Sequence, residues 1–456
     1  MNIMVSTLRE FFGPRRNRRI TVILDTGVLL ADDLDKFFGS LTDNVSVMIP
    51  LNCRMEIDFL RKYSNFDGIR RKAENIRSLY NIGRLKKAPA VNNMLANPKG
   101  LFGDFNTDVI LFLFCEPLVA EEVSRRIGDV KNMHYVVISP FGSCTLYPIH
   151  DMGEHYVLPC SPLRNTTVGV SFTENSVFSV DERRNIRGRD LTEIREGGEA
   201  VLFSCQSFPD KLIKIFKYTP GRSMTNKLVF LQKYESLFRN CALPIGLVYH
   251  KGKCVGYTMR RINGDTMQQF KNREPNETAK LNIIRKLFVL LLEMRIMSIL
   301  VTDISNCNIL IENENPVLID CDSMQCCIFP GGGVTFPFGH PEVTPDFNYS
   351  KMRSHEHFNY SVAVMLWQLL LEWDNPYTQN GRDCRSCSSV DSSFPFTVSG
   401  MVDGITTSEG KLERWQSLPE SLREAFCKTF NMEKSYSIGE LFKILKDSYN
   451  NFDRSE

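Results

Sequence analysis

Apolar positions in the first third of the chain fall into short, almost unbroken runs set between stretches of helical period. Thr21–Leu24 and Val45–Ile49 read as strands, as does HYVVIS near residue 136. Pro50 follows the second strand and opens a helix that carries Glu56 and Asp58. Asp32 to Phe38 is amphipathic, and Gly68 to Asn81 is a helical stretch rich in Arg and Lys. In DFNTDVILFLFCEPL the polar lead-in makes Asp108 the expected start of an apolar helix. Strands alternating with helices predict an α/β domain with a parallel sheet over residues 18–160.

After a Pro/Ser/Thr/Asn-rich connector at 161–188, with short strands expected at Val168–Phe172 and Val177–Val180, the pattern changes. Residues 189–452 open on a strand, the Gly197–Gly198 turn and a second strand. LIKIFK then alternates with Lys214 at its centre, and a helix is expected over Asn226–Phe238. Cys254–Met259 is a further strand, leading into a turn at Asn263–Gly264. Leu281 to Leu300 is a long apolar helix; Glu293 and Arg295 interrupt it, so it reads as a core helix and not a membrane span. Two short apolar runs, Ile309–Ile311 and Val317–Ile319, then form a hairpin ending in Asp320.

Composition narrows the class. A chain of 456 residues, 43% hydrophobic and 24% charged, belongs with globular proteins of two or three domains. The formal charge of +2 gives no global argument for nucleic acid. Fourteen cysteines without a secretory segment imply reduced thiols and a cytoplasmic location. The lone Cys384/Cys387 pair and the seven scattered histidines form no zinc pattern. Trp367 and Trp373 sit at core-helix spacing.

In the first domain, acidic residues at strand ends and helix starts occupy the places where α/β sheets put their sites. Asp25, Glu56 and Asp108 are therefore a candidate set of oxygen ligands for Mg²⁺ or Mn²⁺, which would activate water against a phosphodiester. The same acids read alternatively as helix caps and a solvated face. The segment resembles the PIN-domain nucleases in Asp25–Thr26 after the first strand, in Ile49, Pro50 and Glu56, and in Thr107–Asp108. It departs from them at Ser139, Pro140 and Phe141, where a further acid is expected, which leaves open an inactive scaffold. The resemblance implies RNA as a partner. Arg15, Arg16, Arg18 and Arg19, with the helix bearing Arg70, Arg71, Lys72 and Arg77, would then meet phosphates; a solvated helix face explains that helix equally well.

In the second domain, a lysine between Ile213 and Ile215 on a buried strand needs a counter-charge. Asp303, Asn308 and Asp320 bring two carboxylates and a carboxamide to one hairpin. The order of glycine turn, strand lysine, helix, strand, apolar helix and D-x-x-x-x-N hairpin resembles a two-lobed protein kinase. GGEAVLF, LIKIFK and LIDCDSMQ resemble in particular a bacterial branch of kinase-like proteins with a GGEG loop and a D-x-D-S-x-Q signature. HFNYSVAVMLWQLLLEWDNPY resembles the helix that follows in them.

That resemblance implies roles. Gly197 and Gly198 would cover the phosphates of ATP, Lys214 would pair with them, and the strand through Met259 would bind adenine by its backbone. Asp303 would deprotonate the accepting hydroxyl, and Asn308 and Asp320 would hold Mg²⁺. The helix acid facing Lys214 would be Glu235, with Gln232 as the other candidate. Val301–Thr302 stands where the family has His-Arg, and Asp346 departs from the expected end of the activation segment. The expected activity is ATP-dependent transfer to Ser/Thr of a protein substrate, itself included, joined to an RNA-directed nuclease or RNA-binding module. Such a fusion suggests a bacterial stress or phage-defence effector. A nucleotide-binding pseudokinase with an inactive PIN-like fold, or a nuclease regulated by ATP, are the alternatives; oligomeric state is not legible.

Overall fold

Branched and aromatic residues crowd the short apolar runs, and they pair as strands. In the computed structural model the first five, β1 (Ile20–Leu24), β2 (Val45–Pro50), β3 (Lys86–Ala88), β4 (Val109–Phe114) and β5 (Met133–Val137), form one sheet ordered β3-β2-β1-β4-β5. All its neighbours are parallel. The structure describes residues 11–452 except 32–33, 40, 116, 129, 138–160, 164, 181–183, 327, 334, 336–337, 344–349, 372–374, 380–381, 384–392, 406–409 and 451. Ser139–Phe141, Asp346, Trp373, Cys384 and Cys387 therefore lie outside the described residues.

One expectation fails here. The run after Asp108 is not a helix but β4, buried at every position between β1 and β5. Six residues without a polar face suit the centre of a parallel sheet, where both sides are covered. The helix expected at Gly68–Asn81 spans Asp67–Asn81, and α1 (Leu51–Tyr63) carries Glu56 as predicted.

A second sheet is built from β6 (Val177–Val180), β7 (Arg184–Arg187), β8 (Leu191–Glu196), β9 (Ala200–Cys205), β10 (Lys211–Phe216), β11 (Gly246–His250) and β12 (Lys253–Arg260). Its order is β7-β6-β11-β12-β10-β9-β8, with antiparallel neighbours. The stretch read as a connector thus supplies two of its strands. The strand expected at Val168–Phe172 lies instead at Asn165–Gly169, paired with Tyr218–Pro220. Below the sheet come α2 (Arg222–Gln232), the long α3 (Glu277–Ile296), the hairpin of β13 (Ile309–Glu312) and β14 (Asn315–Leu318), α4 (His355–Leu371) and α5 (Ile438–Ser448). Trp367 is fully buried on α4, ringed by Phe394, Phe396, Trp415 and Phe426.

One apolar core runs without a break from the inner face of the parallel sheet (Val22, Leu24, Leu111) through α1 into α3, α4 and α5. At the seam, Phe59 of α1 packs against Phe442 of α5, the rings tilted by 43° with centroids 4.3 Å apart. Gly439 lets α5 lie against α1, since a Cβ there would come within 2.9 Å of Glu56 Cγ. The two charges that interrupt the apolar helix sit at this seam. Glu293 accepts hydrogen bonds from Ser64 Oγ (2.7 Å) and the Asn65 backbone N–H (2.8 Å), while Arg295 reaches Glu56. Among the described residues no helix is long and apolar enough to cross a membrane.

Candidate active site

Strand alternation puts Lys214 on one face of β10 with Leu212 and Phe216, over a cluster that includes Tyr257 and Met259; Ile213 and Ile215 pack on the opposite face. The ammonium is thereby forced into an apolar layer. Its counter-charges do not come from the next helix. Lys214 Nζ bonds Asp320 Oδ1 and lies 2.6 Å from Asp322 Oδ1, which also accepts a 2.6 Å bond from Tyr257 Oη. Burial alone would push Lys214 down, but the two carboxylates hold it above the ordinary lysine value. Asp322 is almost wholly buried; Lys214 and the Tyr257 hydroxyl overcome the burial and hold its carboxyl below the usual range. Asp320 moves the other way, raised by burial and by the neighbouring Asp322 charge.

The helix acid predicted for Lys214 is a correction. α2 ends at Gln232, whose Nε2 donates to the Ile245 carbonyl, and Glu235 lies in the turn beyond it. The charged side chain that α2 buries is Lys227, donating to the Pro330 carbonyl at 3.0 Å, its pKa pushed down to about 8 by burial. The acid is supplied from the far side, by the second Asp of Asp320-Cys321-Asp322. The motif showed that residue, but nothing local in it said which charge it would meet.

The hairpin carries the remaining groups. Asn308 Nδ2 donates to Asp303 Oδ2 at 2.7 Å, which ties the two ends of D-x-x-x-x-N together. Ile319 N–H donates to the Asn308 carbonyl at 2.9 Å, so the second strand is registered against the first. Asp320 then turns left-handed, with φ of 60° and ψ of 41°. An L residue gives up roughly 1–2 kcal/mol there, and Asp is among the few that tolerate it. That turn points the chain back beneath Lys214. Burial raises the Asp303 carboxyl against the hydrogen bonds from Thr335 and Asn308 that lower it.

Val301–Thr302 stands in place of His-Arg, and two distant residues rebuild the support. Arg353 is buried and donates to the Thr302 carbonyl (2.6 Å) and the Gly332 carbonyl. Gln325 clamps the Arg353 backbone on both sides, accepting from its N–H (2.7 Å) and donating to its carbonyl (3.0 Å). Thr302 Oγ1 donates to the Ser323 carbonyl at 2.8 Å. Gly331 is required here, since a Cβ would approach Thr302 Cγ2 to 2.7 Å. Arg353 lies fifty residues past Asp303, so no motif spacing could have singled it out.

Gly197 and Gly198 form the turn between β8 and β9, closed by Gly197 N–H donating to the Ala200 carbonyl at 2.8 Å. A Cβ at Gly198 would meet nothing within 4 Å. Met259 pairs across the sheet with Leu212 and packs beside Ile319, the residue before Asp320. Asp320 and Asp322 meet at Lys214 Nζ, and Asp303 lies near enough for its charge to raise Asp320; carboxylates of this kind are the oxygen donors that a divalent cation takes.

The first-domain acids do not converge. Asp25 and Glu56 lie at the carboxyl ends of β1 and β2, but Asp108 precedes β4 and sits at the opposite edge, about 17 Å away along a five-residue strand. There it is half-exposed and bonded to Arg19, which lowers its pKa. Asp25 is spent on backbone: Oδ1 accepts from Val28 N–H (2.7 Å) and Oδ2 from Cys115 N–H (2.8 Å). Glu56 Oε2 accepts from Thr26 Oγ1 (2.5 Å) and from Arg295 Nη2 (2.6 Å), both partners buried. A guanidinium from α3 thus stands against the carboxylate expected to hold metal, so these three residues do not fit a metal centre. A cavity of about 110 Å³ lies beside Asp25 and Glu56, lined by Phe112, Phe114, Val123 and Asn359 among others. Several of the basic residues offered to RNA have partners within the chain: Arg70 pairs with Asp67 at the surface, Lys72 donates to the Leu30 carbonyl and Arg15 to the Phe11 carbonyl.

His340, Glu342 and His357 also gather within reach of one another. Glu342 N–H donates to His340 Nδ1 and Ser354 N–H to His357 Nδ1, each at 3.2 Å. Each neutral ring then carries its proton on Nε2, and His357 Nε2 lies 3.2 Å from Glu342 Oε2. Burial and the neighbouring His357 push His340 down to about 4, so it stays neutral. This is a hydrogen-bonded brace, with no ring lone pair left for a metal.

No protein-family model matches the chain, and no curated protein does. Among solved structures, the ROP18 kinase domain in complex with AMP-PNP and sucrose aligns over 61% of this chain and 84% of that one, at 14% identity and a TM-score of 0.38.

Proposed function

We propose that the chain is an ATP- and Mg²⁺-dependent phosphotransferase of the protein-kinase type, acting on Ser or Thr hydroxyls. The observation that carries this is Lys214 held between Asp320 and Asp322, beside the Asp303–Asn308 pair. Two segments about a hundred residues apart, the strand through Lys214 and the hairpin of residues 303–322, carry these groups, in the order the kinase resemblance requires. Lys214 is placed to exchange a carboxylate for the phosphates of ATP. Asp303, with its raised pKa, takes the proton of an accepting hydroxyl. Magnesium, when bound through Asp320 and Asn308, supplies charge neutralisation at the phosphates. The protein's share of the rate comes from positioning and electrostatics.

The N-terminal α/β region is read as a docked, structural partner of this site and not as a metal-dependent nuclease, because Arg295 pairs with Glu56 and Asp108 lies at the wrong edge. RNA as a partner keeps no support from these groups.

Incubation with γ-labelled ATP and Mg²⁺, with casein as a generic acceptor, tests the reading. Wild type should transfer label, and Asp320→Ala or Lys214→Met should reduce transfer at least 100-fold, the scale on which charge-stabilising groups act in such sites. Undiminished transfer in both variants would remove the assignment.

A further inference from the structure

Where the carboxyl edge of the parallel sheet meets α3, α4 and the start of α5, the chain encloses the cavity of about 110 Å³, which no step of the proposed reaction uses. Its walls are apolar: Phe112 and Phe114 of β4, whose ring planes lie parallel, together with Val123. Its polar lining is acidic. Among the described residues Asp25, Glu56, Glu122, Glu356 and Glu440 border it, against the guanidinium of Arg295 and the imidazole of His355. Arg295 is committed to Glu56, and Arg126, which is not part of the lining, is shared between Glu122 and Glu356. Burial and the Glu356 charge raise the Glu122 carboxyl above its ordinary value, as happens to an acid short of positive charge. A second observation points to an occupant. Asn359 of α4 is nine-tenths buried in the lining. Its Nδ2 donates to Ser435 Oγ at 3.1 Å, while its buried Oδ1 meets no donor among the described residues. A buried carbonyl oxygen left without a donor is uncommon and destabilising.

We propose that this cavity binds a small organic cation, a primary ammonium on a short apolar stem. The negative lining selects the charge, and Asn359 Oδ1 accepts one of its N–H groups. A metal ion does not suit the site. Among the described residues the side chains gathered tightly enough for one are His340, Glu342 and His357, and none of these is in the lining. The carboxylates here are spread around the walls, as a polyatomic cation needs. Size sets the stem: an apolar cavity of about 150 Å³ accommodates a benzene ring, so this space takes a stem of that order and not a nucleotide. The lining draws on both halves of the chain, with Asp25 and Glu122 from the first and Arg295, Asn359 and Glu440 from the second. A bound cation therefore ties the halves together, and a ligand taken up by the folded form alone raises its unfolding midpoint.

Full-length protein is titrated in a calorimeter with benzylamine, benzyl alcohol and benzoate, which share a ring and differ in charge. No nucleotide is present, so the outcome is independent of the phosphotransferase reading. Benzylamine should bind once per chain and at least about tenfold tighter than benzyl alcohol, the scale on which a charged hydrogen-bond partner differs from a neutral one. Benzoate should bind more weakly than either, and benzylamine should raise the thermal midpoint of the wild type. Glu122→Gln, which keeps the shape of the side chain, and Asn359→Leu should each lower benzylamine affinity by about tenfold. The thermal midpoints of the free variants report whether they fold, and if Asn359→Leu does not, Glu122→Gln decides alone. Benzyl alcohol binding as tightly as benzylamine, benzoate binding tighter than both, or no binding of benzylamine overturns the inference. Benzylamine affinity left unchanged by the substitutions puts the ammonium somewhere else and overturns it as well.

Discussion

Lys227 is the residue with the most to lose by being charged. It is fully buried on α2, with its pKa lowered from 10.5 to about 8. Between those values the unfolded chain holds the proton and the folded one does not, so stability rises with pH across that window. Below pH 8 the ammonium is present in both states and the group adds no slope. The expected gain from pH 8 to 10.5 is about 3 kcal/mol, at 1.36 kcal/mol per unit. Denaturant unfolding of wild type and Lys227→Met across that range checks it: the stability difference should climb with pH in favour of wild type. A difference that stays flat shows that burial does not depress this lysine. The same position shows where sequence reading stops. Lys214, Asp303, Asn308 and Asp320 could be picked out because the distances between them along the chain are themselves the signal. Lys227, Arg353 and Arg295 could not, because each answers to a group brought up by folding from elsewhere in the chain.

Elements were legible where period and length agreed. The hairpin of β13 and β14 and the strand carrying Lys214 stand where the apolar pattern put them, while α3, expected over Leu281–Leu300, runs Glu277–Ile296 and gives way to a short strand at Ile299–Leu300. β4 was misread because a polar residue before an apolar run looks alike at a helix start and at a strand that enters a sheet. The length of the run and its lack of a polar face were the better guide, and the error moved Asp108 to the wrong end of the sheet. The glycine run at 331–333 makes a stricter demand on its element. Gly331→Val would drive a side chain into Thr302, which is bonded to Ser323 and Arg353. Overpacking of that kind costs about 1–3 kcal/mol. The thermal midpoint should fall by several degrees, and kcat should fall while nucleotide affinity, measured by titration calorimetry, changes less. An unchanged kcat would show that the Thr302 support is not needed by the hairpin.

At the scale of the whole molecule, the two halves are joined by charge as well as by apolar contact. Arg295 and Glu56 are both buried, and removing one partner of such a pair typically costs about 3–5 kcal/mol while removing both costs less. Arg295→Met and Glu56→Gln should each destabilise the protein on that scale, and the double variant should be more stable than their sum predicts. Calorimetry should show the parallel-sheet region and the helices α3, α4 and α5 unfolding in one transition, since a continuous core links them. Two separate transitions, or strict additivity of the two substitutions, would mean that the halves fold independently.

The two charges on α3 carry a consequence for anyone cutting the gene. Cloned from residue 189 onward, the helix would bring Arg295 to a surface stripped of Glu56 and leave Phe442 without the Phe59 ring that had covered it. Recombination at that junction would not release an interchangeable cassette; it would yield a fragment that needs its missing portion supplied in trans.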